Sequence, residues 1–147
     1  MTRVFYQITE NHPADKMFDL VNNIDVYPEF VPGCVNAKIL DNKDNQIRAC
    51  LEVEKLGFRK RFTTLNTLTP SSSIEMSLID GPFRTLHGIW TFTPLSETSC
   101  RISFDLTFEF KNRILDLTFT PIFKELMENM VKAFSNRARL VYNQHRN

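Results

Sequence analysis

Histidine side chains are natural candidates for chemistry, because an imidazole transfers protons near neutral pH and binds metal ions. The chain has three, His12, His87 and His145, and they are far apart in the sequence. His12 stands at a predicted helix start and His145 in the tail. His87 alternates outward from Leu86 and Gly88 on a predicted strand. We therefore predict surface or structural roles for all three histidines, and no metal site.

Carboxylates and sequence motifs give no catalytic set either. The sequence contains no HExxH motif, no GxSxG motif and no glycine-rich phosphate loop. Asp105 and Glu109 alternate outward on a predicted strand, Glu125 and Glu128 belong to a helical pattern, and Asp80 is a turn residue. The sequence therefore favours a protein that is not an enzyme, with a cyclase-like enzyme as the less favoured class.

Basic side chains occur in two groups that are able to contact phosphate. Arg59 and Arg61 share one face of a predicted strand, and Lys132, Arg137 and Arg139 lie on a predicted helix. A net charge of +1 gives no general attraction to nucleic acid or to anionic membranes, and no DNA partner is expected. Solvated faces are the favoured explanation for both groups, and RNA contact is the alternative.

Aromatic residues are the least ordinary feature, with 13 Phe, 3 Tyr and 1 Trp. Many of them coincide with irregular backbone, in a proline-rich loop, at the Pro82 turn and near Pro121. Such rings either fill a wide core or line a cavity that accepts an apolar ligand. The candidate ligand-binding residues are Tyr27, Pro28, Phe30, Val31, Pro32, Phe83, Leu86, Trp90, Phe104, Phe108, Phe119 and Phe123.

One long amphipathic helix is predicted to position these residues. Apolar residues recur at helical spacing from Ile114 and Leu117 onwards, within a helix predicted over Arg113–Tyr142. Asn112 is suited to cap its first turn. Pro121 lies inside the pattern and predicts a kink or a local break just before it.

Strands account for most of the chain before this helix. A short helix starting at Asn11-His12-Pro13 and an irregular segment over Asp25–Cys34 follow the first strand. A single sheet with one buried face needs one cover, so the pattern predicts an α+β domain with a curved antiparallel sheet of about seven strands around the long helix. The predicted strands are Arg3–Thr9, Val35–Leu40, Ile47–Val53, Phe58–Leu68, Ile74–Leu78, Leu86–Phe92 and Cys100–Phe110.

Length and cysteine content limit the class of protein. The 147 residues predict one domain spanning residues 1–147. Cys34, Cys50 and Cys100 are odd in number and form no CxxC pair, which favours reduced thiols over disulfides or zinc. No signal sequence and no apolar run of about 18 residues is present, so we expect a cytoplasmic protein without a transmembrane segment.

Several segments together resemble a known family. The chain is similar to the coenzyme Q-binding, START-like proteins of the polyketide cyclase superfamily, and most similar to its bacterial ribosome-association toxin (RatA) branch. The resemblance covers nearly the whole chain and implies a helix-grip fold. The segments that carry it are Tyr27–Cys34, Asp80–Phe83, Trp90–Leu95, Phe108–Phe110, Phe123–Leu126 and Asn129–Phe134.

The resemblance implies two functions. The favoured one is non-enzymatic binding of a polyprenyl quinone such as ubiquinone between sheet and helix, in support of respiratory electron transport. No further cofactor is required, and Tyr27 or a backbone group near Pro82 is expected to hydrogen-bond a quinone oxygen.

The alternative function belongs to the toxin branch. It is binding to the large (50S) ribosomal subunit, which blocks 70S association and inhibits translation, with an antitoxin as a possible further partner. The residues predicted for ribosome contact are Arg59, Arg61, Lys132, Arg137 and Arg139.

Overall fold

A computed structural model describes residues 1–142 of the chain, and His145 lies outside the described residues. The described chain begins with a strand, two short helices and a loop, and continues with six strands and one long helix. The elements are β1 (Thr2–Glu10), α1 (Ala14–Asn22), a 3₁₀ helix (Ile24–Glu29), β2 (Cys34–Lys43), β3 (Gln46–Lys55), β4 (Phe58–Thr69), β5 (Ser73–Asp80), β6 (Phe83–Pro94), β7 (Cys100–Phe110) and α2 (Arg113–Tyr142).

The described strands form one antiparallel sheet in the order β1-β7-β6-β5-β4-β3-β2. The strands from β2 to β7 are neighbours in chain order, whereas β1 pairs with β7, so that Thr2 lies opposite Phe108. Register shifts interrupt the ladders, for example between Thr63 and Thr64 of β4, and such bulges bend a sheet. The predicted α+β architecture is confirmed.

Strand β7 lies between β1 and β6 and supplies the middle of the core. Its side chains alternate between buried and half-buried along nearly the whole strand, as the sequence predicts. Helix α2 packs its apolar face on this side of the sheet. The buried residues of the helix are Phe123, Leu126, Met127, Met130, Val131, Ala133, Phe134, Ser135 and Ala138.

Helix α2 has its predicted ends and its predicted cap. Asn112 accepts a hydrogen bond from the backbone N–H of Leu115 at 2.8 Å. The predicted local break is wrong, since the helix continues across Pro121. The proline removes the hydrogen bond to the carbonyl of Leu117, and Leu117 is exposed, so that water is available to that carbonyl.

The first turns of α2 differ from the prediction. Ile114 and Leu117 were expected in the buried stripe, but they are 78% and 75% exposed. The fully buried part of the helix begins only at Phe123. Helical spacing identifies an apolar face, but it does not show how far the sheet beneath that face extends.

The segment between α1 and β2 is more regular than predicted. Ile24–Glu29 forms a 3₁₀ helix that contains Pro28. Proline has no N–H to donate, but the turns on either side of Pro28 keep their hydrogen bonds. The N–H groups of Val26 and Phe30 bond to the carbonyls of Asn23 and Tyr27. Helix α1 also begins one residue later than predicted, with Pro13 preceding it as the capping residue.

Gly33 allows the following loop to approach α2. Its φ angle is +81°, in the left-handed region that favours glycine. A Cβ atom at this position would stand 2.4 Å from Cδ2 of Leu126. The positive φ angle and the close approach of Leu126 together favour glycine at this position.

Candidate functional site

A cavity lies between the sheet and helix α2. It has a volume of about 40 Å³ and a mostly apolar wall. Its lining residues are Ile24, Tyr27, Ala49, Leu51, Phe62, Thr64, Asn66, Met76, Leu86, Trp90, Leu106, Phe123, Met127 and Met130.

The cavity is small because aromatic rings occupy most of the interior. Ligand sites usually measure about 300–1,000 Å³, whereas 40 Å³ holds only a few water molecules. Trp90 lies 4.4 Å from Phe104 between ring centroids, and Phe108 lies 4.9 Å from Phe123. Of the two readings of the aromatic residues, filling of the core describes this structure better than lining of an open cavity.

The predicted ligand-binding residues are divided between the cavity and other places. Tyr27, Leu86, Trp90 and Phe123 line the cavity. Val31 and Pro32 line a second apolar void of about 10 Å³ beside Leu126. Six of the predicted residues therefore border apolar voids between the sheet and the helix.

The other predicted ligand residues do not line this cavity. Phe83, Phe104 and Phe108 are fully buried and are covered by neighbouring rings. Phe119 packs 4.9 Å from Phe58 near the start of α2. Pro28 is exposed on the 3₁₀ helix. An apolar pattern in the sequence therefore predicts which residues are buried. It does not predict which of the buried residues line the cavity.

Tyr27 does not have the predicted free hydroxyl. Its O–H donates to the backbone carbonyl of Val21, within α1. Burial, and then the neighbouring Cys34, raise the pKa of Tyr27 far above its usual value, so that the hydroxyl stays protonated. A quinone has acceptor oxygens only, and the single hydroxyl proton of Tyr27 is already in use.

The polar part of the cavity wall comes from β4 and was not predicted. Thr64 donates through Oγ1 to Oδ1 of Asn66 at 2.8 Å, and both residues are buried. Among residues 1–142, the Nδ2 amide of Asn66 has no hydrogen-bond partner. Both residues follow Phe62 at alternating positions, which placed them on the inward face. The cavity therefore offers amide donors within an apolar wall.

An open groove lies on the other side of α2, against the 3₁₀ helix and its loop. The groove has a volume of about 350 Å³. It is lined by Phe30, Pro32, Asn129, Lys132, Ala133, Asn136, Arg137 and Leu140.

Two of the predicted ribosome-contact residues meet in this groove. The guanidinium of Arg137 stands 5.0 Å from the centroid of the Phe30 ring, and 3.5 Å from the Glu29 carboxylate. Lys132 is exposed and has no salt bridge within the described part of the chain. Arg139 bonds to Asn136 and lies on a separate polar hollow.

Arg59 and Arg61 are already paired with carboxylates. Arg59 lies 2.8 Å from Glu52 and 2.9 Å from Glu54, and Arg61 lies 3.5 Å from Glu52. Hydrogen bonding from Arg59 lowers the pKa of Glu52, which favours the ionised form of that carboxylate. Their positive charge is therefore partly neutralised, because strand β3 places a carboxylate opposite each arginine, and their predicted contact with the ribosome stays a prediction.

The other candidate residues have structural positions. His87 is exposed and lies 3.0 Å from Glu75, and His12 is buried beside the ring of Tyr142. Burial raises the pKa of the Cys34 and Cys100 thiols to about 11. Within residues 1–142, His, Cys, Asp and Glu side chains form no group of three that is able to hold a metal ion. No helix in the same range has the length and apolarity needed to span a bilayer.

Comparison with known proteins identifies the family. Residues 11–135 match the family described as polyketide cyclase / dehydrase and lipid transport. The chain belongs to this family. A START superfamily structure from Mycobacterium smegmatis has a TM-score of 0.80 at 22% identity, covering 95% of this chain and 98% of the other. The START-like, helix-grip fold implied by the sequence is confirmed.

Two relatives with described roles differ in their sequence identity to this chain. The ribosome association toxin RatA of Escherichia coli strain K12 is 50% identical over 131 residues, which cover 89% of this chain and 83% of the relative. The mitochondrial coenzyme Q-binding protein COQ10 homolog B of Xenopus laevis is 31% identical over 132 residues, covering 87% of this chain and 54% of that protein. The similarity to the RatA protein is the stronger of the two.

Proposed function

We propose that this protein is a ribosome association toxin that binds the large (50S) ribosomal subunit and prevents the two subunits from joining. The observation that carries the proposal is the open groove of α2, where a ring, two cations and two amides lie together. The 50% identity to a ribosome association toxin supports it. The proposal reverses the order given by the sequence, in which quinone binding came first.

The groove has the side chains that bind folded RNA. Lys132 and Arg137 provide positive charge for phosphate groups. The half-buried ring of Phe30 provides a stacking surface for an unpaired base, and Arg137 already lies over one side of it. Asn129 and Asn136 carry both donors and acceptors for base edges. The groove is thus suited to a loop or a bulge of ribosomal RNA.

The proposed action is steric and needs no bond to be made or broken. A domain bound on the joining face of the large subunit excludes the small subunit by its volume alone. An antitoxin would act by covering the same groove. The outcome is inhibited translation without an enzymatic step.

The test is co-sedimentation with purified 50S subunits over a salt series. Lys132→Gln with Arg137→Gln is expected to lower affinity at least tenfold and to reduce the salt slope by about 1.5. In a sucrose gradient, the wild-type protein is expected to reduce the 70S fraction formed from 50S and 30S subunits, and the variant is not.

Arg59→Gln with Arg61→Gln is the matched control, because it removes the same charge from arginines that are paired with Glu52 and Glu54. This control is expected to bind as wild type does. Equal binding by both double variants, with both still folded, would reject the groove. Failure of the wild-type protein to bind 50S subunits would reject the function.

Asn66 favours a second function, the binding of an apolar ligand with a carbonyl oxygen. Asn66 lies on the apolar cavity wall, and its amide N–H groups have no acceptor among the described residues. A quinone carbonyl would satisfy one of them. The cavity must enlarge for such a ligand, and Met76, Met127 and Met130 on its wall have side chains that rearrange readily.

Mass spectrometry of organic extracts from the natively expressed protein tests this second function. Enrichment of a polyprenyl quinone over a charge-matched control protein is expected, with loss of enrichment in Asn66→Leu. A folded protein that carries no lipid and does not bind added ubiquinone would exclude it. Neither result affects the 50S binding test.

A further inference from the structure

Exposed apolar side chains gather near the start of α2. Among the described residues, Leu56, Ile114 and Leu117 are 81%, 78% and 75% exposed. Leu56 belongs to the turn between β3 and β4, and the other two belong to the first turns of α2. Large aliphatic residues that are this exposed on one part of a surface usually mark an interaction site.

Contacts on either side of the β3–β4 turn show that it lies beside α2. Lys55, just before the turn, is 2.6 Å from the carboxylate of Glu125. Phe58, just after it, stands 4.9 Å from Phe119 between ring centroids. The turn that carries Leu56 is therefore held beside the first half of the helix, although it is far from it in sequence.

The backbone at Leu56 supports a role outside the fold. Leu56 and Gly57 have φ angles of +52° and +82°, so both residues of the turn are left-handed. This turn favours Asn or Gly, and leucine is unfavourable there. No atom lies within 4 Å of a Cβ built on Gly57, which shows open space around the turn. Local structure does not explain why a leucine occupies this position.

The exposed face of the helix continues the same surface. Ile114, Leu117, Pro121 and Lys124 recur at intervals of three and four residues, which is the spacing of one helix face. All four are exposed, whereas Phe123 on the opposite side is fully buried. We call Leu56, Ile114, Leu117 and Pro121 the apolar tip.

Three positive charges lie close to the apolar tip, and the nearby carboxylates Asp116 and Glu125 already have partners within the chain. Lys111, Arg113 and Lys124 are exposed, and none of them has a salt bridge within residues 1–142. Arg113 is the first residue of α2, where the helix dipole disfavours a cation. Helix stability does not account for that charge. Aliphatic residues with cations close to them are suited to a partner that has an apolar interior and an anionic outer layer.

We propose that the apolar tip inserts into the interfacial layer of a bilayer that contains anionic lipids. The aliphatic side chains enter the acyl boundary, while Lys111, Arg113 and Lys124 contact the phosphate groups above it. Such binding is peripheral and reversible. The alternatives are that a second copy of the chain or another protein covers the apolar tip. The experiment below distinguishes both alternatives from binding to lipid.

The test is flotation of the purified protein with phosphatidylcholine vesicles, with and without phosphatidylglycerol. Wild type is expected to float with the anionic vesicles. Leu56→Asn with Leu117→Ser is expected to lower partitioning about tenfold for each leucine removed. Asn suits the left-handed backbone at position 56, so the variant keeps the fold. Leu40→Ser is the matched control, because Leu40 is 48% exposed on β2, at the edge of the sheet, and it is expected to float as wild type does.

Removal of charge gives a second, independent readout. Lys111→Gln, Arg113→Gln and Lys124→Gln together are expected to abolish the preference for phosphatidylglycerol vesicles and the dependence of binding on salt. Equal flotation of the leucine variant and wild type would overturn the proposal. So would absence of flotation, including the case in which sedimentation velocity shows a dimer that Leu117→Ser dissociates.

Discussion

The cavity and the groove lie on the two sides of helix α2, and they share one ring. Phe134 stands 5.5 Å from Phe30 of the groove, and 5.2 Å and 5.4 Å from Tyr27 and Trp90 of the cavity wall. The cavity is apolar and holds about 40 Å³, whereas the groove is lined with cations and amides and holds about 350 Å³.

This difference separates two kinds of binding. The groove can accept a partner without a rearrangement of its side chains. Binding there therefore carries little free-energy cost for reorganising the protein. The cavity must first displace rings or methionines, and a ligand has to supply that free energy from its own contacts. The same fold therefore presents an open outer groove and an inner cavity that would have to enlarge before a ligand could enter.

Replacing the shared ring is expected to have the largest effect. Phe134→Ala should lower the free energy of unfolding by about 3–5 kcal/mol, because a fully buried ring is lost and space is left behind. Urea denaturation followed by circular dichroism measures the change. A loss below about 1 kcal/mol would show that the groove and the cavity are mechanically separate.

A change confined to the cavity side comes next in size. Thr64→Val leaves Oδ1 of Asn66 without its donor and should cost about 1–3 kcal/mol of unfolding free energy. Thr64→Val with Asn66→Leu removes both polar groups and should regain most of that loss. Additive costs in this double-mutant cycle would mean that the pair is satisfied from elsewhere.

A change confined to the groove side should be smaller for stability. Phe30 is half-buried, so Phe30→Ala is expected to cost about 1–2 kcal/mol, including the loss of its contact with Arg137. The same variant should bind 50S subunits about tenfold more weakly, as is typical of a lost stacking contact. Unchanged binding would remove the ring from the proposed RNA surface, whatever the change in stability.

The smallest expected effect concerns pH and the loop between the two sites. Burial raises the pKa of Cys34 from about 9 to about 11. Between these values the unfolded chain loses the thiol proton and the folded chain keeps it, so stability falls as pH rises. The change in the folding constant is about tenfold at pH 10 and grows further toward pH 11. Urea midpoints from pH 8 to 11 should fall less in Cys34→Ser than in wild type.

The sequence predicts the framework well, because periodicity is a local property. β7 and α2 have the predicted ends, since alternation and helical spacing are unbroken along Cys100–Phe110 and Arg113–Tyr142. The pairing of the arginines with glutamates could also have been predicted from the sequence. A two-residue turn at Leu56-Gly57 places Arg59 opposite Glu54 and Arg61 opposite Glu52, as the register shows.

The polar residues of the cavity wall could not be predicted from the sequence. Thr64 and Asn66 are polar residues at inward positions of β4, and polarity alone suggests exposure. Their burial depends on how rings from β6 and α2 pack across the sheet, which no local pattern specifies. The exposure of Ile114 likewise depends on where the sheet ends beneath the helix.

The pairing of β1 with β7 has a consequence for synthesis of the chain. Thr2 pairs with Phe108, so the first strand to leave the ribosome waits for about 100 further residues before its partner exists. Helix α2 emerges later still, and at roughly 5–20 residues per second its 30 residues take about 1.5–6 s to make. During that time the apolar face of the sheet has no cover, and chaperones are well placed to bind the nascent chain.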